Sequence, residues 1–457
     1  MSQFKSIQDP LPVWMPVLSR QAGPRFLQIA DALQAAIAAG SLKAGDRLPP
    51  QRQLAAHLNI DLTTVTRAYD EARRRHLLEG RGARGTYVAA PKAELTPVLD
   101  LSMNTPPPSH GVDVEDMLKQ GLSQVLMRTD NTQLMTYQLA GGSEEHRQAA
   151  ADWLAPAFGK TDAEHWLICP GAQAAIAALI LAETAPGDVI LTEPVCYPGL
   201  HAAAMQLGRR VMVVDTDQHG MLPAQLEKAC LECGARSLYL NPTLQNPTTT
   251  TMPEARRRAI AAIVQKHGLL LIEDDPYWLL ADQAPPPLAS LAPEQVCYIS
   301  TLSKTLMPGL RVAFVLIRNA QRRDRFLAAL KSFAQMTPPL MAALATQWIR
   351  DGTAKQLLQG VRTEARARHQ SARQILAGYE CGSPEALHLW LSLPPYWNAS
   401  ELADAAQAEG IVVTPADAFM HSGDTINAIR ISLGSLPDRQ GLRTGLQKLS
   451  RLLAHVP

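Results

Sequence analysis

No stretch of the 457-residue chain is apolar for the roughly 20 residues needed to cross a bilayer. The longest apolar run, Ala174–Ala182, is flanked by Gln173 and Glu183, so no membrane partner is expected. The start, Met1-Ser2-Gln3-Phe4-Lys5, lacks the apolar core of a secretory signal, which predicts a cytoplasmic protein. Six cysteines in so long a chain make no disulfide framework. Cys230 and Cys233 form a C-x-x-C spacing with no second pair to complete a zinc site, so the thiols are read as reduced and structural, and no metal is expected. Neither an internal repeat nor a low-complexity tract is present. The length itself suggests two or three domains of roughly 150 residues each.

Charge is close to balanced, at +1, but unevenly distributed. Residues 20–90 carry ten arginines and one lysine against six acids, a local +5 that points to phosphate contact. In the same segment Phe26, Ile29, Ala30, Leu33 and Ile37 recur at helical spacing over Phe26–Ala39, with Gly40 where a left-handed cap is wanted. Gln51–Leu58 makes a second short helix, Asn59 suits a left-handed turn, and Asp61 is placed to cap a third helix running to about Arg75. Leu77-Leu78-Glu79 and Thr86-Tyr87-Val88, around a Gly80–Gly85 tip, form a hairpin. Three helices and a hairpin in this order make a winged helix-turn-helix, a DNA-binding module assigned to residues 1–90.

Residues 91–99 read as a short polar linker. From Asp100 on, apolar runs such as Trp166–Cys169, Asp188–Leu191, Arg210–Val214, Ser237–Leu240, Leu269–Ile272 and Val312–Leu316 alternate with helical stretches. Continuous apolar strands separated by helices predict an α/β fold with a mostly parallel sheet covered on both faces. Beyond about residue 335 the pattern shifts to helices followed by Leu387–Leu393 and Ala428–Leu433, consistent with a smaller α+β subdomain at 335–457 within a 100–457 domain.

Ligands in such folds lie at the carboxyl ends of strands, and polar residues gather there. Leu269–Glu273 leads into Asp274-Asp275-Pro276-Tyr277, and Val296–Ser300 leads into Thr301-Leu302-Ser303-Lys304. Trp166–Cys169 leads into Pro170-Gly171-Ala172-Gln173, opening a helix over Ala174–Glu183 whose free N–H groups make a phosphate seat.

From about Asp100 onward these motifs resemble a fold-type I, pyridoxal-phosphate-dependent aminotransferase of the kynurenine/aminoadipate type. The resemblance implies that Lys304 forms a Schiff base with pyridoxal 5′-phosphate and that Asp274 keeps the pyridine nitrogen protonated. It implies further that Tyr277 and Asn246 donate to the phenolic oxygen, and that Tyr197 stacks on the ring. Thr301, Ser303, Arg311 and the Gly171-Ala172-Gln173 backbone would hold the phosphate. Tyr137 would reach the phosphate of a partner subunit, implying a homodimer, and Arg430 would clamp an effector carboxylate. Ala172, Thr249 and His146 depart from the residues usual in that family.

Residues 24–88 resemble the GntR family of winged helix regulators, including the Gly45–Pro49 turn. By that resemblance the third helix enters the major groove, with Thr63, Thr64, Thr66 and Arg67 near bases or phosphates. Arg52, Arg81 and Arg84 would meet the backbone or minor groove. Leu62 stands where arginine is common. The two resemblances joined in one chain are those of the MocR (PdxR-type) regulators, which implies a head-to-tail homodimer on double-stranded promoter DNA. The expected function is transcription regulation, with an amino acid, an amine or a vitamin B6 species sensed through an aldimine at Lys304. An active aminotransferase with an accessory DNA module remains the alternative, because the same residues support binding and turnover.

Overall fold

The computed structural model describes residues 14–18, 23–75, 77–80, 85–89, 98–138, 141–421 and 426–455. Arg81, Arg84 and positions 91–97 of the expected linker lie outside the described residues. The chain divides into two units, Met1–Pro97 and Val98–Pro457.

In the first unit the apolar stripe of Phe26, Ile29, Leu33 and Ile37 winds into α1, Arg25–Ala38. Gly40 turns left-handed at φ +73°, which lets Ser41 N–H reach back to the Ala36 carbonyl at 3.0 Å and close the helix end. Helix α2 spans Gln51–Leu58 and stops at Asn59, whose φ of 50° and ψ of 51° are left-handed as expected. Asp61 then caps α3, Leu62–Arg74, by accepting from Thr63 N–H at 2.8 Å. Strands β1, Leu78–Gly80, and β2, Thr86–Val88, pair antiparallel with Leu78 opposite Val88. Ile29, Leu33, Leu54, Val65, Tyr69, Leu78 and Val88 form one core, in which the Tyr69 hydroxyl donates to the Pro49 carbonyl at 2.8 Å.

The second unit is built on seven strands: β3 Trp166–Cys169, β4 Val189–Thr192, β5 Arg210–Val213, β6 Ser237–Leu240, β7 Leu270–Asp274, β8 Val296–Thr301 and β9 Ala313–Leu316. Their spatial order is β3-β9-β8-β7-β6-β4-β5. All neighbours run parallel except β9, which is antiparallel to both β8 and β3. Side chains of β3, β4 and β6–β9 are buried on both faces, which explains why they read as continuous apolar runs rather than as alternation. One face is covered by α4, Ala172–Glu183, and α5, Ala320–Ala334, through Ile176, Leu179, Phe326 and Leu330. The other is covered by Glu144–Trp153, Glu254–His267 and Pro339–Arg350, through Ala150, Ile260 and Leu344.

A second, three-stranded antiparallel sheet follows helix α6, Thr353–Ile375. It consists of β10 His388–Ser392, β11 Thr414–Pro415 and β12 Ala428–Ser432, with β12 central. Helix α7, Arg439–Ala454, packs on α6. The short strand Leu99–Asp100 pairs parallel with Ile411–Val412 in a separate two-stranded sheet, and the Leu101 carbonyl accepts from Ser432 N–H of β12 at 2.7 Å, so the chain enters this unit beside the three-stranded sheet and then crosses to the large one. All six cysteines are free, and no described helix is long and apolar enough to cross a membrane.

Candidate functional site

The carboxyl ends of β3, β7 and β8 open onto one cavity of about 410 Å³. Ala172, Gln173, Tyr197, Asn246, Asp274, Tyr277, Thr301, Ser303, Lys304, Arg311 and Arg430 all line it, so residues chosen from scattered sequence motifs meet. Lys304 sits in the short helix Leu302–Thr305 that begins where β8 ends, with Thr301 as its cap. Its amine donates to the Asn104 carbonyl. Burial, and then the positive charges of Arg430 and Arg311, lower its basicity to about 8, with Asp274 opposing them in part. A larger share of neutral, nucleophilic amine is therefore present near neutral pH than on a solvated lysine.

Asp274 ends β7 and is buried. Tyr239, from the adjacent strand β6, donates to its Oδ2 at 2.7 Å, and Asn241 Nδ2 donates to its carbonyl at 2.7 Å. Its Oδ1 is buried with no partner among the described residues, an open acceptor. Burial lifts the carboxyl to about 6, against the Tyr239 hydrogen bond that lowers it.

At the phosphate seat α4 begins at Ala172, two residues earlier than the sequence predicts, which places Ala172 and Gln173 in its first turn. Gly171 caps it at φ +96°. A Cβ there would lie 2.5 Å from Arg311 Nη2, so the guanidinium rests directly on bare backbone. Arg311 itself is left-handed, at φ 51°, and donates to the Pro170 carbonyl at 3.3 Å. Thr301 Oγ1 lies 3.1 Å from Ser303 Oγ. A helix N-terminus, a guanidinium and two hydroxyls are groups with the donors to hold a dianion.

Arg430 projects from the middle of β12, opposite Trp390 and Thr414. Its Nη1 donates to Asn246 Oδ1 at 2.9 Å and its Nη2 to the Ser102 carbonyl, and its Nε is buried without a partner among the described residues. The guanidinium also lies 4.8 Å from the centre of the Phe419 ring. Burial lowers its pKa to about 10.

Tyr137 is not part of this cavity, being 86% exposed. His146 completes a capping box with Ser143 at the start of Glu144–Trp153. Thr249 is held left-handed at φ 63°, uncommon for a β-branched residue, and its hydroxyl accepts from Ser383 N–H at 3.0 Å. Asn104, Tyr239, Asn241 and His388 belong to the site and have no motif of their own. A polar Tyr239 inside the apolar Ser237–Leu240 strand was the one available signal.

On the winged module, Arg52 and Arg67 are exposed, and Arg67 lies 4.4 Å over the Phe26 ring. Thr63 is exposed and bonded to Asp61, while Thr64 is half-buried. Thr66 differs, because its single hydroxyl proton is shared between Gln51 Oε1 at 2.9 Å and the Leu62 carbonyl at 3.0 Å, tying α3 to α2.

Residues 96–449 match the family described as aminotransferase class I and II, and residues 26–88 match the bacterial regulatory proteins of the gntR family. The HTH-type transcriptional regulator YdeF of Bacillus subtilis is 32% identical over 96% of both chains. The chain belongs to the MocR (PdxR-type) regulators, GntR-family proteins with an aminotransferase class I and II domain. A vitamin B6 salvage pathway transcriptional repressor of Salmonella typhimurium, PtsJ, is 29% identical over 90% of this chain and 95% of its own. Among solved structures, the α-aminoadipate aminotransferase LysN of Thermus thermophilus, complexed with N-(5′-phosphopyridoxyl)-L-leucine, matches 78% of this chain and 92% of its own. It does so at 26% identity with a TM-score of 0.70.

Proposed function

We propose that this MocR-type chain regulates transcription by holding pyridoxal phosphate at Lys304 and sensing an amino acid, an amine or a vitamin B6 species there. One observation carries the reading: a single cavity joins an amine of depressed basicity, an unpartnered buried carboxylate oxygen and a guanidinium seated on a glycine. Each matches one pole of the cofactor: its aldehyde, its ring nitrogen and its phosphate. Pyridoxal phosphate supplies an electrophilic carbon that amines take up and a ring that withdraws electrons.

The residues divide the work. Tyr239 anchors one oxygen of Asp274 and leaves the other to face the ring nitrogen. Arg311, Thr301, Ser303 and the first turn of α4 hold the phosphate, Tyr197 covers the ring, and Tyr277 and Asn246 address its hydroxyl. Arg430 offers its unpartnered Nε to an effector carboxylate. The exposure of Tyr137 supports a head-to-tail homodimer in which it reaches the partner's site. Arg52, Thr63, Thr64 and Arg67 would meet DNA. The likeness to regulators over 96% of the chain, against 72% for the 2-aminoadipate transaminase of Thermus thermophilus, supports sensing over turnover. The role of PtsJ in repressing vitamin B6 salvage supports a vitamin B6 species among the effectors.

Borohydride reduction of the protein loaded with pyridoxal phosphate, followed by peptide mass spectrometry, tests the assignment. The cofactor mass is expected on Lys304 and absent from Lys304→Ala; finding it on another lysine overturns the reading. A panel of amino acids and amines, followed by absorbance, separates the functions: a shifted band without conversion to pyridoxamine phosphate marks a sensor.

A further inference from the structure

Three residues that no motif connects form a chain of hydrogen bonds whose direction is fixed from its far end. His388, the first residue of β10, is completely buried, and its Nε2 lies 3.1 Å from the Pro247 carbonyl oxygen. A carbonyl only accepts, so Nε2 carries a proton. Burial, with the positive charges of Arg430 and Lys304 nearby, holds the ring's pKa at about 3. The imidazole is therefore neutral, and its Nδ1 is an acceptor.

That Nδ1 lies 3.1 Å from the side-chain amide nitrogen of Asn104. Because the ring can only accept there, the amide must present its NH2 group rather than its oxygen. The same NH2 group lies 3.0 Å from the Tyr277 hydroxyl oxygen. An amide nitrogen donates and does not accept, so the tyrosine oxygen accepts from Asn104 and its own proton is left to be given elsewhere. Tyr277 lines the cavity, which is where that proton can go. Asn104 Oδ1 is buried with no partner among the described residues, which fits an amide turned by the demands on its nitrogen.

We propose that Asn104 and His388 are positioning residues that fix the direction of the Tyr277 hydroxyl, making Tyr277 an obligate donor toward the ring oxygen of the cofactor. The inference rests on the cavity being a pyridoxal phosphate site. Asn104 lies beyond the Leu99–Asp100 strand, Tyr277 beyond β7 of the large sheet and His388 in the small sheet. The polarity of one hydroxyl thus depends on both sheets keeping their places.

Two measurements test this. In apoprotein labelled with ¹⁵N-histidine, the His388 ring signals, assigned by their loss in His388→Phe, are expected to show a protonated Nε2 and a bare Nδ1 unchanged over roughly pH 5–9. A proton on Nδ1, or titration to the cation in that range, overturns the proposal. In the loaded protein, a hydroxyl donated to the ring oxygen draws off charge that otherwise holds the neighbouring proton. Losing it should raise the pH at which the visible band changes.

Tyr277→Phe should raise that pH by about one unit, the scale of one hydrogen bond. Asn104→Leu should shift it in the same direction, and Asn104→Leu/Tyr277→Phe should equal Tyr277→Phe alone. Additive shifts, or none in Asn104→Leu, overturn the proposal even if His388→Phe fails to fold. Wild-type protein that never loads the cofactor overturns the cofactor reading and the role toward its ring; the nitrogen signals report the chain's polarity independently.

Discussion

Gly171 and Arg311 are so close that a single added methyl group would come within 2.5 Å of the guanidinium nitrogen Nη2. The glycine is also at φ +96°, where an L side chain is strained, so it answers two constraints at once. Gly171→Ala should push Arg311 off its seat and weaken pyridoxal phosphate binding by roughly 10- to 150-fold, the loss of one charge-assisted contact. Equilibrium dialysis measures it, and specific DNA binding by the apoprotein should stay as in wild type.

Lys304 titrates near 8 because burial and two arginines disfavour its charged form. Capture of pyridoxal phosphate needs the neutral amine, so its rate should climb with pH through about 8 and level off above. Arg430→Met removes one of those positive charges and should move the midpoint upward. The same variant should weaken carboxylate effectors by roughly 10- to 150-fold while leaving amines without a carboxylate unaffected. Stopped-flow absorbance across pH checks the first, and effector titration the second.

Salt should separate the two kinds of DNA contact. Arg52→Ala and Arg67→Ala should each lower the slope of log affinity against log salt by about one per contact. Thr63→Ala and Thr64→Ala should change sequence preference more than slope. Thr66→Val should lower the melting temperature instead, since it cuts the hydrogen bond from α3 to Gln51. Anisotropy titrations over a salt series, against specific and unrelated DNA, decide each.

Glu364 on α6 accepts from Arg368 at 2.7 Å and from Arg439 of α7 at 2.6 Å. Burial works to raise its pKa, yet the hydrogen bonds from Arg439 and Arg368 hold it below the ordinary value. A depressed carboxylate stabilises the fold above its unfolded pKa and gives that up as pH falls through the folded one. Glu364→Ala should cost about 3 kcal/mol, the lower end for a broken buried pair. The Leu433, Leu436 and Pro437 carbonyls still hold Arg368. The difference from wild type in urea unfolding should shrink as pH drops below about 4.

Much of this was legible because local chemistry and tertiary fold agree. Gly40, Asn59 and Asp61 end or begin helices for reasons contained within a few residues, and the structure has them doing so. Asp274 and Lys304 stand out in the sequence because they lie at the carboxyl ends of apolar runs, and the structure brings both to one cavity. Asn104 and His388 were not, since their meaning arises only where segments 284 positions apart come together. Nothing local distinguishes such an asparagine from one in a turn. The place of Thr66 on α3 points it to DNA, and the bond of its hydroxyl to Gln51 on α2 is a contact that spacing alone does not reveal.

Arg430 bonds to Asn246 and to the Ser102 carbonyl, partners 184 and 328 positions away. The cavity is therefore closed only after Arg430 has been synthesised, whereas the winged module's helices and strands lie within residues 25–88. Since local contacts form before distant ones, a growing chain acquires the module's fold first and cofactor competence last. The order in which the protein becomes able to grip a promoter and then to receive a signal is written into the distance between those three residues.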